Sequence, residues 1–147
     1  MRYTILIAIF SLLFITCKKD KFTDIPQLTF KSVNTEVVPK DGILTFTLTF
    51  TDAQGDEDSV FMYKIAKNCT ASNLKDSSVV PSDLPRVKNQ QGDLIISYKN
   101  SAGDYFPYLP CDPKCEDNDT CVFRFVLVDK AKHKSDTLTT GEIVILK

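Results

Sequence analysis

The sequence predicts an all-β fold, an antiparallel β-sandwich. Over residues 43–51, Leu44, Phe46, Leu48 and Phe50 alternate with Thr45, Thr47, Thr49 and Thr51, the period of a half-buried strand. Further short runs of β-branched and apolar residues recur along the chain with Gly, Asp, Asn and Pro clusters between them, and none carries the apolar stripe of a helix.

In chain order, a first strand is expected over 28–33. The turn Pro39-Lys40-Asp41-Gly42 leads into the alternating strand 43–51, and Gln54-Gly55-Asp56 leads into a strand over 59–66. Residues 68–88 are polar and contain Pro81 and Pro85, which fits either a short edge strand or a long loop. After Asn89-Gln90-Gln91-Gly92-Asp93 a strand covers 94–99, and Ser101-Ala102-Gly103-Asp104 is the next turn. Residues 121–128 are apolar on both faces except at Arg124, as in a central strand. A last strand is expected over 137–146. So many short strands in 147 residues point to two packed sheets.

The chain opens with Arg2, an apolar run over 5–15 too short to span a bilayer, the small residue Thr16, and then Cys17-Lys18-Lys19-Asp20. This resembles a bacterial lipoprotein signal peptide. The resemblance implies cleavage before Cys17, a lipid on its sulfur, and acylation of the new amino end. Several acyl chains, each methylene worth about 0.8 kcal/mol when buried, hold a protein firmly on a membrane. The expected organisation is therefore a leader over 1–16, a lipidated anchor and tether over 17–26, and a sandwich over 27–147. The expected partner is the membrane itself, through the lipid, and the expected location is the outer membrane. Surface export in such bacteria goes with acidic residues after the anchor, and Lys18-Lys19-Asp20-Lys21 has one, which favours the periplasmic face. Cleavage leaves 131 residues, enough for one core, with 17 basic and 19 acidic side chains dispersed along them. That pattern excludes a nucleic-acid surface.

Four cysteines follow the anchor: Cys69, Cys111, Cys115 and Cys121. In an exported chain they imply two disulfides, each contributing about 2–4 kcal/mol, with three pairings open. A zinc site is disfavoured by the lack of CxxC pairs and of a nearby histidine.

Three places carry a further resemblance: Cys17-Lys18-Lys19-Asp20, the turn Phe50-Thr51-Asp52-Ala53-Gln54-Gly55-Asp56-Glu57-Asp58, and Val128-Asp129-Lys130-Ala131 followed by Ser135, Thr137 and Thr140. Together they resemble immunoglobulin-like domains of lipoproteins from Bacteroidetes-type bacteria, which often have an FxDxDGD-like turn; Gln54 stands here where an aspartate is common. The resemblance implies an immunoglobulin-like sandwich and says little about activity.

Within the acidic turn, oxygen-bearing side chains recur at Asp52, Gln54, Asp56 and Asp58. Calcium takes about six to eight oxygens, which such spacing helps to gather. If strands alternate in direction, Asp129 approaches the same end and completes a candidate calcium site of structural role. The other reading is a solvated hairpin whose aspartates cap turns. A second candidate surface is Tyr98, Tyr105, Phe106 and Tyr108, held by Pro107, Pro110 and the cysteine-rich loop; exposed together these rings would grip a glycan or peptide, and buried they would cover a sheet edge. No serine elbow, HExxH or phosphate-binding glycine loop occurs, and the sole histidine, His133, lies between two lysines. The expected role is non-enzymatic: a structural or recognition module meeting an envelope protein or glycan, or alternatively a carbohydrate- or peptide-binding module.

Overall fold

The computed structural model describes residues 21–79, 86–103 and 107–147. The leader, Cys17, Tyr105 and Phe106 lie outside these. The strands are β1 (Gln27–Val33), β2 (Val37–Val38), β3 (Ile43–Asp52), β4 (Glu57–Ala66), β5 (Leu74–Val79), β6 (Gln90–Lys99), β7 (Leu109–Pro110), β8 (Asp119–Asp129), β9 (Leu138–Thr139) and β10 (Ile143–Ile145). One sheet has the order β1-β3-β6-β7; the other runs β2-β10-β8-β4-β5, with β9 also on β8. This is the immunoglobulin-like sandwich that the sequence predicts. The edge runs β2 and β7 are parallel to their neighbours, and every other pairing is antiparallel.

The N-terminal segment serves both sheets. β1 pairs with β3, and after a few residues β2 joins β10 in the opposite layer. Each sheet face follows from strand alternation: Leu44, Phe46, Leu48 and Phe50 of β3 are buried, and the intervening threonines are half-buried on the outer face. Across the sandwich, β8 contributes Phe123, Phe125 and Leu127, with Arg124 exposed as predicted. The ring of Phe46 lies 4.9 Å from Phe123 and 5.3 Å from Phe125, at the inclined angles that aromatic quadrupoles favour.

The final expected strand is divided. β9 pairs with Arg124 and Phe125, and β10 pairs with residues nearer the start of β8. Between them Thr140 donates its amide to the Phe123 carbonyl, but its hydroxyl, not a carbonyl, accepts the Phe123 amide. A side chain thus replaces one rung of the ladder and interrupts the strand. Residues 74–79 form the edge strand, which settles the two readings of 68–88 in favour of that one. β2 and β7, two residues each, are too short to show periodicity.

A buried ion pair interrupts the apolar interior. Lys64 of β4 forms a 2.6 Å ion pair with Asp119 of β8, both side chains fully buried, and donates to the Cys111 carbonyl at 2.9 Å.

Candidate functional site: the acidic turn between β3 and β4

β3 ends on Asp52, which is fully buried, and β4 starts at Glu57. The chain reverses because Asp52 Oδ2 accepts the Gly55 amide at 2.6 Å and the Asp56 amide at 3.2 Å. Gly55 has φ +66°, and a Cβ there would lie 2.3 Å from the Val87 carbonyl oxygen and 2.5 Å from Gln90 Oε1. Glycine is needed on both counts. Those neighbours come from the first residue of β6 and the segment just before it: Gln90 pairs in register with Asp52, and Asn89 donates to the Ala53 carbonyl. From the other side, the amide of Lys130 donates to the Asp56 carbonyl, and Asp129 pairs with Glu57. The end of the predicted tether is docked here too: Ala53 donates to the Thr23 carbonyl, and Gln54 Nε2 to Asp24 Oδ1 at 2.7 Å.

The fold thus brings the five predicted ligands to one end of the sandwich, but their side chains are divided. Gln54 is exposed and engaged with Asp24. Asp58 pairs with Lys132 at 2.8 Å, which holds its carboxyl below the usual range. Asp129 accepts the His133 amide at 2.7 Å and faces His133 Nδ1 at 2.8 Å. That contact occupies the sole histidine in a half-exposed turn. Asp52 and Asp56 remain at the centre. Two residues outside the predicted set join them: Gln90 and Glu57. Gln90 was legible only as a turn residue, because its place opposite Asp52 depends on register, and Glu57 falls out of step with the alternating oxygens.

Asp52 Oδ1, Asp56 Oδ1, Glu57 Oε1 and Gln90 Oε1 are buried acceptors without a hydrogen-bond donor. Each such atom costs about 1–3 kcal/mol. Desolvation, followed by the charges of Asp52 and Asp129, pushes the Asp56 carboxyl above its ordinary value. Burial likewise raises Glu57, with smaller contributions from Asp52 and Asp56. Among the described residues, no three or more His, Cys, Asp or Glu side chains form a metal-holding group; a cation at this turn would need the amide of Gln90 and backbone oxygens besides the carboxylates.

The expected cysteine framework is corrected by half. Cys69 and Cys115 are bridged, but Cys111 and Cys121 carry free thiols buried in the core. Different sheets hold them: the Cys111 amide donates to Lys99 at the end of β6, while Cys121 lies within β8, opposite Ala66 and Ile143. Burial pushes each thiol up to about 12. Because the thiolate is the reactive form, native protein at pH 8 is expected to resist iodoacetamide at both positions for hours and to alkylate rapidly in denaturant. Peptide mass mapping with and without urea measures this, and fast labelling of the folded protein would contradict the burial.

The aromatic surface is corrected at one residue. Tyr98 is 2% exposed, its ring 4.8 Å from Phe123, and burial raises its hydroxyl well above the ordinary value. It is a core residue, because alternation along β6 turns it inward with the Phe46 layer. Tyr108 is half-buried beside β7.

No family model matches the chain, and no curated protein does. Solved structures with similar backbones include the sporulation control protein Spo0M from Bacillus subtilis (7% identity, TM-score 0.44, covering 85% of this chain and 51% of that one). Others are a β-glucosidase from Listeria innocua (8% identity, TM-score 0.46, covering 83% of this chain and 16% of that one) and a Niemann-Pick type C2 protein from Japanese carpenter ant (9% identity, TM-score 0.41, covering 87% and 96%). The chain spans about half the length of Spo0M and about a sixth of the glucosidase.

Proposed function

We propose that the chain is a lipid-anchored, non-enzymatic module of the cell envelope, structural or recognitive in role, carried by the outer membrane on its periplasmic face. The observation that supports this reading best is the Cys69–Cys115 bridge, which spans 46 residues. Disulfides persist in exported proteins and are rare in reducing cytosol, so the bridge agrees with the leader ending before Cys17. The docking of Thr23 and Asp24 adds a spatial consequence. Only the short stretch from Cys17 to Thr23 separates the anchor from the acidic turn, a reach of about 20 Å at full extension. The acidic end of the sandwich would face the lipid headgroups, and the opposite end would face a partner. The burial of Tyr98 weighs against a carbohydrate- or peptide-binding role for the 98–108 surface.

The test is metabolic labelling with an alkyne palmitate in the native host. Wild-type protein is expected to take the label and sediment with outer membranes, and Cys17→Ala to lose the label and accumulate as precursor. An intact Met1 with an unmodified thiol at residue 17 would overturn the reading.

A further inference from the structure

From the acidic turn we infer a calcium site made by Asp52, Asp56 and Gln90, with Glu57 at its margin, a set different from the one that sequence spacing suggests. Four oxygens that can only accept, Asp52 Oδ1, Asp56 Oδ1, Glu57 Oε1 and Gln90 Oε1, lie buried around one glycine turn without a donor. Gln90 is the independent witness. It belongs to another strand and is uncharged, and although it is 93% buried (7% exposed) its carbonyl oxygen faces the Gly55 backbone, with the Val87 carbonyl oxygen beside it. An amide side chain in such a place can turn its NH₂ toward carboxylates, and here the oxygen side is left unpaired.

No Lys or Arg among the described residues forms an ion pair with Asp52, Asp56 or Glu57, and the nearby Lys132 is taken by Asp58. A proton shared by Asp52 and Asp56 would serve two of the four oxygens and leave Glu57 and Gln90 unserved. One divalent cation held by Asp52, Asp56 and Gln90 would serve three of them, with Glu57 beside it and not among its ligands. The donors are hard oxygens from carboxylate, amide and backbone carbonyl, without sulfur or imidazole, which selects calcium over zinc or copper. With two carboxylates and a partly open turn, water completes the shell and the affinity falls in the range of extracellular modules, about 10⁻⁴ to 10⁻³ M. The site is independent of the anchor reading, since the turn folds the same way whether or not Cys17 is acylated.

The test uses the full-length chain stripped of metal, titrated with calcium chloride by calorimetry and melted in calcium or chelator, with circular dichroism to check that each variant folds. Wild type is expected to bind one calcium per chain and to melt higher in 10 mM calcium than in chelator. Gln90→Met, close in shape but without the oxygen, should weaken binding about tenfold or more, and Asp56→Asn should do likewise. Asp58→Asn, whose carboxylate belongs to Lys132, should bind as wild type does. Absence of saturable heat in folded wild type would overturn the site. So would wild-type affinity in Gln90→Met, or a loss in Asp58→Asn equal to that in Asp56→Asn.

Discussion

Lys64→Met is expected to lower stability by about 3–5 kcal/mol, among the largest single effects in this chain, because it leaves the Asp119 carboxylate buried without its cation. Lys64 and Asp119 are both fully buried and 2.6 Å apart, and neither Asp119 oxygen has a hydrogen bond to relieve it. The loss comes from the stranded charge more than from the attraction removed: two charges taken out of water give back most of their mutual energy as desolvation. The double variant Lys64→Met/Asp119→Leu is therefore expected to recover most of the loss. Urea unfolding of the three proteins measures both numbers. A single variant within about 1 kcal/mol of wild type would show that the carboxylate finds water or a proton.

Removing the disulfide is the second large effect. Cys69 and Cys115 are 46 residues apart in sequence, and closing a loop of that size removes chain entropy worth about 4 kcal/mol from the unfolded state. Cys69→Ala/Cys115→Ala, or reduction of wild type, should lower stability by roughly that much. Without the bridge the loop around Cys115 keeps two ties to the Cys69 turn: the Ser72 hydroxyl accepts the Lys114 amide at 2.8 Å, and Asn68 Nδ2 donates to the Asn118 carbonyl at 2.8 Å. Melting with and without dithiothreitol checks it. An unchanged midpoint would mean that the loop is equally constrained without the bridge.

The long strands were legible because their burial is one-sided. β3 shows its alternation in the residues themselves, and β8 shows that both its faces are covered and that Arg124 is the exception. β2 and β7 were not legible, since two residues on an edge carry no period and their parallel pairing depends on distant segments. The division of β9 from β10 rests on a single threonine hydroxyl, which composition does not announce. At the acidic turn the sequence located the right end of the sandwich, even bringing Asp129 beside it, because strand direction follows from strand order. It misassigned side chains because each carboxylate has a choice of partners: Asp58 takes Lys132, Asp129 takes His133, and Gln90 enters from a strand whose register was unknown. The cysteines posed the same problem, an even count being compatible with two bridges, whereas Cys111 and Cys121 stay as free thiols in the core.

The crossing of the first segment from one layer to the other has a mechanical consequence. β2 and β10 run parallel, joined by bonds from Val144 to Glu36 and from Leu146 to Val38. A pull that draws apart the residues before β2 and those after β10 meets these rungs in shear, so they must fail together instead of one after another. A domain tethered at its front end and loaded at its back would yield to tension as a latch does, not as a zip.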